Sequence, residues 1–138
     1  MQSVLKATDV RANFGEFIDT IVREKPQAVK RNRDVIVAFS KQQMKELLSV
    51  YELTVEYEQD EDGRFAGSIE QIEDIVADGE TLEALKRELA RQLLEYAIDY
   101  EANYTRYYHS PNRHKHAPYA LRVLLEDDIE SVVRLLHA

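Results

Sequence analysis

The sequence predicts an α+β chain in two consecutive units: β-α-α-β-β-α over residues 1–51, then β-β-β-α with a mainly helical C-terminal extension over residues 52–138. Three observations predict it. Apolar residues recur every three or four positions across residues 7–23, the period of one helix face. Residues 52–58 alternate strictly between apolar and polar, as a strand with one wet face does. A stripe of Leu82, Leu85, Leu89, Leu93, Ala97 and Tyr100 then returns to helical spacing in one long segment.

The first unit opens on Ser3, Val4 and Leu5, a short apolar strand. Val10, Phe14, Phe17, Ile18, Ile21 and Val22 mark the inner face of the helical stretch. Thr8 is placed to cap it by offering its hydroxyl to a free backbone N–H, and Gly15 to bend or divide it into two short helices. Pro26 forbids its continuation. Residues 27–30 and 35–40 are rich in apolar side chains and flank Arg31-Asn32-Arg33-Asp34, which predicts a β-hairpin. Ser40-Lys41-Gln42-Gln43 fits a capping box, in which Ser and the Gln three residues on satisfy each other's backbone donors. The helix that follows should turn Met44, Leu47, Leu48 and Tyr51 inward. A unit of about fifty residues lies near the lower limit for a self-sufficient core, so a partner subunit is expected to complete it.

The second unit begins without a linker. Leu53, Val55 and Tyr57 face one way and Thr54, Glu56 and Glu58 the other. Beyond Asp60-Glu61-Asp62-Gly63, the residues Phe65, Gly67 and Ile69 predict a returning strand, and Ile72, Ile75 and Val76 a third. Gly79 breaks that strand, and Thr81 with Glu83 starts the long helix by capping and by complementing its dipole. Residues 103–117 are polar and aromatic, with a loop at Ser110-Pro111-Asn112, and residues 120–125 read as strand or helix. Residues 128–137 read as a short amphipathic helix with Ile129, Val132, Val133 and Leu136 on one side.

The chain has no cysteine, which removes disulfides, zinc–thiolate sites, iron–sulfur clusters and thiol nucleophiles and suits a reducing compartment. No apolar run approaches the roughly 18 residues a bilayer requires. A cytoplasmic protein without membrane contact and without a cofactor is expected. The formal net charge of −8 is unevenly divided. Residues 1–50 carry nine Lys/Arg against six Asp/Glu, net +3; residues 51–138 carry nine against twenty, net −11. Salt screens charge beyond roughly 8–10 Å, so a polyanion can bind, but only through the N-terminal part.

Lys6-Ala7-Thr8-Asp9-Val10-Arg11-Ala12-Asn13-Phe14 resembles the opening of Phd/YefM antitoxins, and Val29-Lys30-Arg31-Asn32-Arg33-Asp34-Val35-Ile36-Val37 followed by Ser40 continues the likeness. The resemblance covers residues 2–51. It implies a dimerising, DNA-binding domain over residues 1–51 that represses its own operon, with Arg11 as the DNA-contacting arginine and Arg31 near the phosphates. Residues 52–101 resemble a second antitoxin family, HicB, most specifically through Gly79-Glu80-Thr81-Leu82-Glu83-Ala84-Leu85. In place of that family's proline between the second and third strands stands Glu70 or Gln71. This likeness implies a partial ribonuclease-H-like fold without the catalytic acids, and a toxin-binding domain over residues 52–138 including the C-terminal extension.

Lys6, Arg11, Lys30, Arg31 and Arg33 are therefore the candidate DNA contacts, because a guanidinium offers fixed donors to phosphate and Lys adds charge. A solvated surface face is the competing reading. Asn13 is a candidate for base reading and equally for helix capping. Tyr96, Tyr100, Tyr104, Tyr107 and Tyr108 recur at roughly helical spacing and suit a partner interface, though core packing accounts for the stripe as well. Glu58-Gln59-Asp60-Glu61-Asp62-Gly63 imitates the start of a calcium loop, but its twelfth position is Ile69, which supplies no ligand. His109, His114 and His116 invite a metal or nuclease reading; their cationic neighbours Arg113 and Lys115 oppose a cation, and solvated or structural histidines are the plainer account. The reading that follows is a non-enzymatic antitoxin. It binds operator DNA as a homodimer or higher even oligomer and neutralises a small, basic toxin by direct contact. The alternative is a transcriptional regulator whose second module senses a ligand or peptide, with no toxin partner.

Overall fold

The computed structural model describes residues 3–138 and divides into two compact units that part between Leu47 and Leu48. In the first unit, β1 (Val4–Lys6) runs into α1 (Ala7–Ala12), followed by α2 (Phe14–Arg23), β2 (Gln27–Arg31), β3 (Asp34–Ala38) and α3 (Lys41–Leu48). β2 lies centrally in the sheet, parallel to β1 and antiparallel to β3. The helical stretch divides at Asn13 rather than Gly15. The Asn13 N–H reaches Asp9 O at 3.1 Å and Val10 O at 3.2 Å, and its side-chain amide donates to Asp9 O at 3.2 Å. An amide that closes the carbonyl end of α1 ends the helix there, while Gly15 sits inside α2 with open space around it. Thr8 lies inside α1 and does not cap it. The residue before the helix is Lys6, extended at φ −83° and ψ 139°, with no side-chain cap bond.

At the hairpin, Arg31 pairs with Asp34 across the two-residue turn Asn32-Arg33, and Asn32 takes the left-handed φ of 57° that asparagine tolerates. The capping box forms as expected. Ser40 N donates to Gln43 Oε1 at 2.9 Å and Gln43 N to Ser40 Oγ at 3.1 Å. The Gln43 amide also reaches Ile21 O at 3.2 Å and ties α3 to α2. α3 ends at Leu48, so Tyr51 has no helix to carry it inward, and Leu47 points outward.

The second unit comprises β4 (Leu53–Gln59), β5 (Phe65–Ile69), β6 (Ile72–Gly79), α4 (Leu82–Ala102), α5 (Tyr104–Tyr108), α6 (Ala117–Leu124), α7 (Ile129–Leu135) and β7 (Leu136–His137), with one 3-10 turn at His114–His116. Its sheet order is β6-β5-β4-β7. α4 supplies Leu85, Leu89, Leu93, Ala97 and Tyr100 to the core against Leu53, Val55, Ile69, Ile72 and Ile75. Thr81 caps it, its hydroxyl accepting from Ala84 N at 3.0 Å. Gly79 ends β6 where a Cβ would lie 2.6 Å from Leu85 N, so only glycine lets strand and helix approach so closely. Along β6 Ile75 is buried and its neighbour Val76 exposed, as strand alternation requires.

Past Tyr100 the structure resolves two stretches that the sequence leaves open and departs from the expectation at the C-terminal strand. Tyr104–Tyr108 is a short helix. Residues 120–125 resolve mainly into α6, which places Ala120 and Val123 in the core. The terminal helix stops at Leu135, and Leu136–His137 become a fourth strand parallel to β4, with Leu53 beside Leu136 and Thr54 beside His137. In the position of the missing proline, Gln71 returns to β4: its Oε1 accepts from Thr54 N at 2.8 Å and its Nε2 donates to Thr54 Oγ1 at 3.3 Å. Among the described residues no helix is long and apolar enough to cross a membrane.

Candidate nucleic-acid and partner interfaces

In the first unit Lys6, Arg11, Lys30, Arg31 and Arg33 are all exposed, and among the described residues none has an ion-pair partner. Cations of the second unit behave differently. Arg64 meets Asp78 at 3.2 Å, Arg87 meets Glu130 at 2.6 Å, Arg91 meets Glu88 at 2.7 Å, Arg113 meets Asp74 at 3.5 Å and Lys115 meets Glu73 at 2.6 Å. Register places Lys6 beside Lys30 on adjacent strands, so two ammonium groups leave one sheet face together. Like charges in neighbouring register positions repel, a cost that an anion would remove. Arg31, one residue on, points to the opposite face by strand alternation, and Arg33 occupies the turn. Arg11 lies in the last turn of α1. Asn13 gives one amide hydrogen to Asp9 O in the capping role, which leaves its second amide hydrogen and its Oδ1 for other partners.

Burial in this unit is sparse. Only Ile21, Ala28 and Val29 are buried among its described residues, whereas Phe14 is 59 % exposed, Val22 62 % and Ile36 63 %. Ile18, Val35 and Val37 are exposed as well. Among the described residues of this unit, apolar side chains of α2 and β3 are thus left uncovered.

The tyrosine stripe separates into two groups. Tyr100 is 1 % exposed and donates to Arg113 O at 2.8 Å; burial pushes its hydroxyl pKa up to about 12. It therefore cannot meet a partner, because the apolar stripe of α4 carries it into the core. Tyr107 donates to Asp99 Oδ2 at 2.6 Å, and the Arg113 guanidinium lies 5.5 Å from the Tyr96 ring and 5.2 Å from the Tyr107 ring. Tyr96 and Tyr107 are thus occupied within the unit. Tyr104 and Tyr108 remain exposed, their rings stacked at 5.3 Å and 15°.

The histidines also part company. His116 is buried, with Nδ1 2.7 Å from the Tyr96 hydroxyl and Nε2 3.2 Å from Glu73 Oε2. A hydrogen bond from Lys115 holds the Glu73 carboxyl down to about 2, so this carboxylate can only accept. Nε2 therefore carries the proton and Nδ1 accepts from Tyr96. Burial pulls the His116 pKa below its ordinary value, against the pull of Glu73. His114 donates from Nδ1 to Tyr108 O at 2.6 Å, and His109 is exposed. Among the described residues no three His, Cys, Asp or Glu gather to hold a metal ion. Sequence reasoning missed Glu73 as the partner of His116 and Lys115, since a contact across about forty positions leaves no local pattern.

Residues 60–63 form the hairpin turn, with Gly63 at φ 85° and Asp60 Oδ1 accepting from Arg64 N at 2.9 Å.

No curated protein matches the chain. A crystal structure from Syntrophomonas wolfei subsp. wolfei, described as the antitoxin part of a proposed toxin/antitoxin system, is similar over 100% of this chain and 98% of that one, with 44% identity and a TM-score of 0.91. The PHD-like family, described as antitoxin of toxin–antitoxin, RelE/RelB, TA system, matches residues 1–138. A match over every residue, with a solved relative of the same fold, means that this chain belongs to the PHD-like family of antitoxins.

Proposed function

We propose that this antitoxin is a non-enzymatic repressor and toxin inhibitor. Its Phd/YefM-like first unit pairs with a second copy on operator DNA, and its HicB-like second unit holds a small, basic toxin in the cytoplasm, without a cofactor. The observation that carries the reading is the set of exposed cations Lys6, Arg11, Lys30, Arg31 and Arg33, without ion-pair partners among the described residues, on a chain of net charge −8 in which four of the other eight arginines are ion-paired. Uncovered cations attract phosphate, and each phosphate they neutralise releases a counterion. The exposed apolar side chains of α2 and β3 support pairing, since a unit with so little buried cannot hold its fold cheaply alone. The −11 of residues 51–138 speeds encounter with a cationic protein.

Gel-shift titration with the DNA upstream of the chain's own gene tests the first half. Arg11→Ala is expected to weaken binding at fixed salt while sedimentation still shows a dimer; unchanged affinity refutes the DNA face. Co-expression with the small adjacent reading frame tests the second half. A stable complex that relieves growth arrest supports it, and an operator-binding protein with no such neighbour favours the ligand-sensing regulator.

A further inference from the structure

The sheet of the second unit has two edges, and they are treated differently. At the β6 edge, Val76 O accepts from Gln92 Nε2 of α4 at 3.0 Å, and Arg113 and Lys115 hold Asp74 and Glu73 at 3.5 and 2.6 Å. Side chains from elsewhere in the unit thus guard this edge. β4 lies on the other side. Thr54 O accepts from Glu70 N at 2.9 Å and Asp60 N donates to Arg64 O at 2.8 Å, so Thr54, Glu56 and Glu58 turn their backbone groups toward β5. Alternate residues of an antiparallel ladder point the opposite way, which sends the N–H and C=O of Val55, Tyr57 and Gln59 outward. β7 pairs beside Leu53 and Thr54, a parallel register that also takes up the Val55 N–H. The stretch from the Val55 C=O to Gln59 is open.

Side chains on this stretch define what fits. Tyr57 is 43 % exposed on the core-side face, its ring 5.8 Å from Phe65. On the other face Glu56 and Glu58 are exposed, with no ion-pair partner among the described residues. A strand laid beside β4 would place every second side chain against Tyr57 and the ones between against two carboxylates. A second copy of β4 would set glutamates against glutamates, which repel.

We propose that the open edge of β4 over residues 55–59 accepts an extended, basic segment of a partner protein as an added strand, apolar side chains toward Tyr57 and lysines or arginines toward Glu56 and Glu58. The proposal rests on the partner-holding role given to the second unit and supplies its contact surface. Backbone hydrogen bonds give such a pairing its affinity and the alternating side chains its selectivity.

The full chain and a blocked ten-residue peptide alternating valine with lysine and arginine test it, with a valine–glutamate peptide as control. Amide hydrogen exchange is expected to slow at least tenfold at Tyr57 and Gln59 on adding the basic peptide, and not the acidic one. Glu56→Lys with Glu58→Lys should weaken basic-peptide binding about tenfold at low salt and admit the acidic peptide. Tyr57→Pro removes an outward N–H while leaving the β5 ladder intact, and should lose binding with the β5 amides still protected. Lack of slowing at Tyr57 and Gln59, slowing along β6 instead, or indifference to the charge reversal each overturns the proposal. Protection of Tyr57 that rises with protein concentration in the absence of peptide also overturns it, by making the occupant a second copy. A negative result leaves the operator and co-expression tests standing, whereas their failure would leave an edge that binds peptide and no toxin to fill it.

Discussion

Replacing Lys30 by glutamine separates a functional charge from a structural one. Lys30 neighbours Lys6 in register and has no carboxylate partner among the described residues. In the free protein its removal relieves repulsion across an exposed sheet face, so stability should hold or rise by up to about 0.5 kcal/mol after screening. On DNA the sign reverses. Each phosphate contact contributes roughly 0.9 to the slope of log affinity against log salt. A dimer carries the substitution twice, so the slope should flatten by about 1.8, and the variant should lose about tenfold less affinity than the parent between roughly 50 and 200 mM salt. Fluorescence anisotropy across a salt series reads the slope, and thermal unfolding at one fixed salt reads the stability. A slope identical to the parent's, or a fall in melting temperature matching the loss of binding, would show that Lys30 supports the fold rather than the duplex.

Two further outcomes follow from the second unit. Burial keeps the His116 pKa below its ordinary value, so around pH 6 the unfolded chain binds more protons than the folded one and stability rises with pH. His116 therefore contributes fully above about pH 6.5 and its contribution is lost as pH falls through its lowered folded value; a melting temperature independent of pH between roughly 7 and 5 would contradict this. Gly79→Ala forces a Cβ to 2.6 Å from Leu85 N and 3.0 Å from Ala84 C, both backbone. α4 must shift, at about 1–3 kcal/mol, which urea denaturation would register as a lower midpoint with the slope unchanged.

Much of the fold is legible because its signals are local. The Ser40–Gln43 box and the Thr81 cap were readable because each is a bond between residues three apart. Helix and strand order in the first unit follows from periodicity and from Pro26. Where the reading failed, a distant partner decided. Leu136 reads as the last turn of an amphipathic helix and becomes strand because Leu53 lies beside it. Tyr100 is chemically identical to Tyr104, yet one is sealed and the other open; Tyr100 continues the apolar stripe of α4, and its hydroxyl finds Arg113 O, a partner that no local pattern shows. The five N-terminal cations were visible as a charge imbalance. Their lack of ion-pair partners was not, because pairing depends on which carboxylates the fold brings near.

The parallel pairing of Leu53 with Leu136 spans 83 positions of chain. During synthesis β4 emerges early and must wait for almost everything after it before its neighbour on that flank exists. Contacts this distant form slowly, since closing so long a loop costs entropy before any bond is gained. The first unit, with partners only tens of residues apart, meets no such delay. A nascent chain would then complete the contacts within its first unit before those of its second, and a ribosome that stops short of residue 136 would release a polypeptide in which β4 lacks its parallel neighbour.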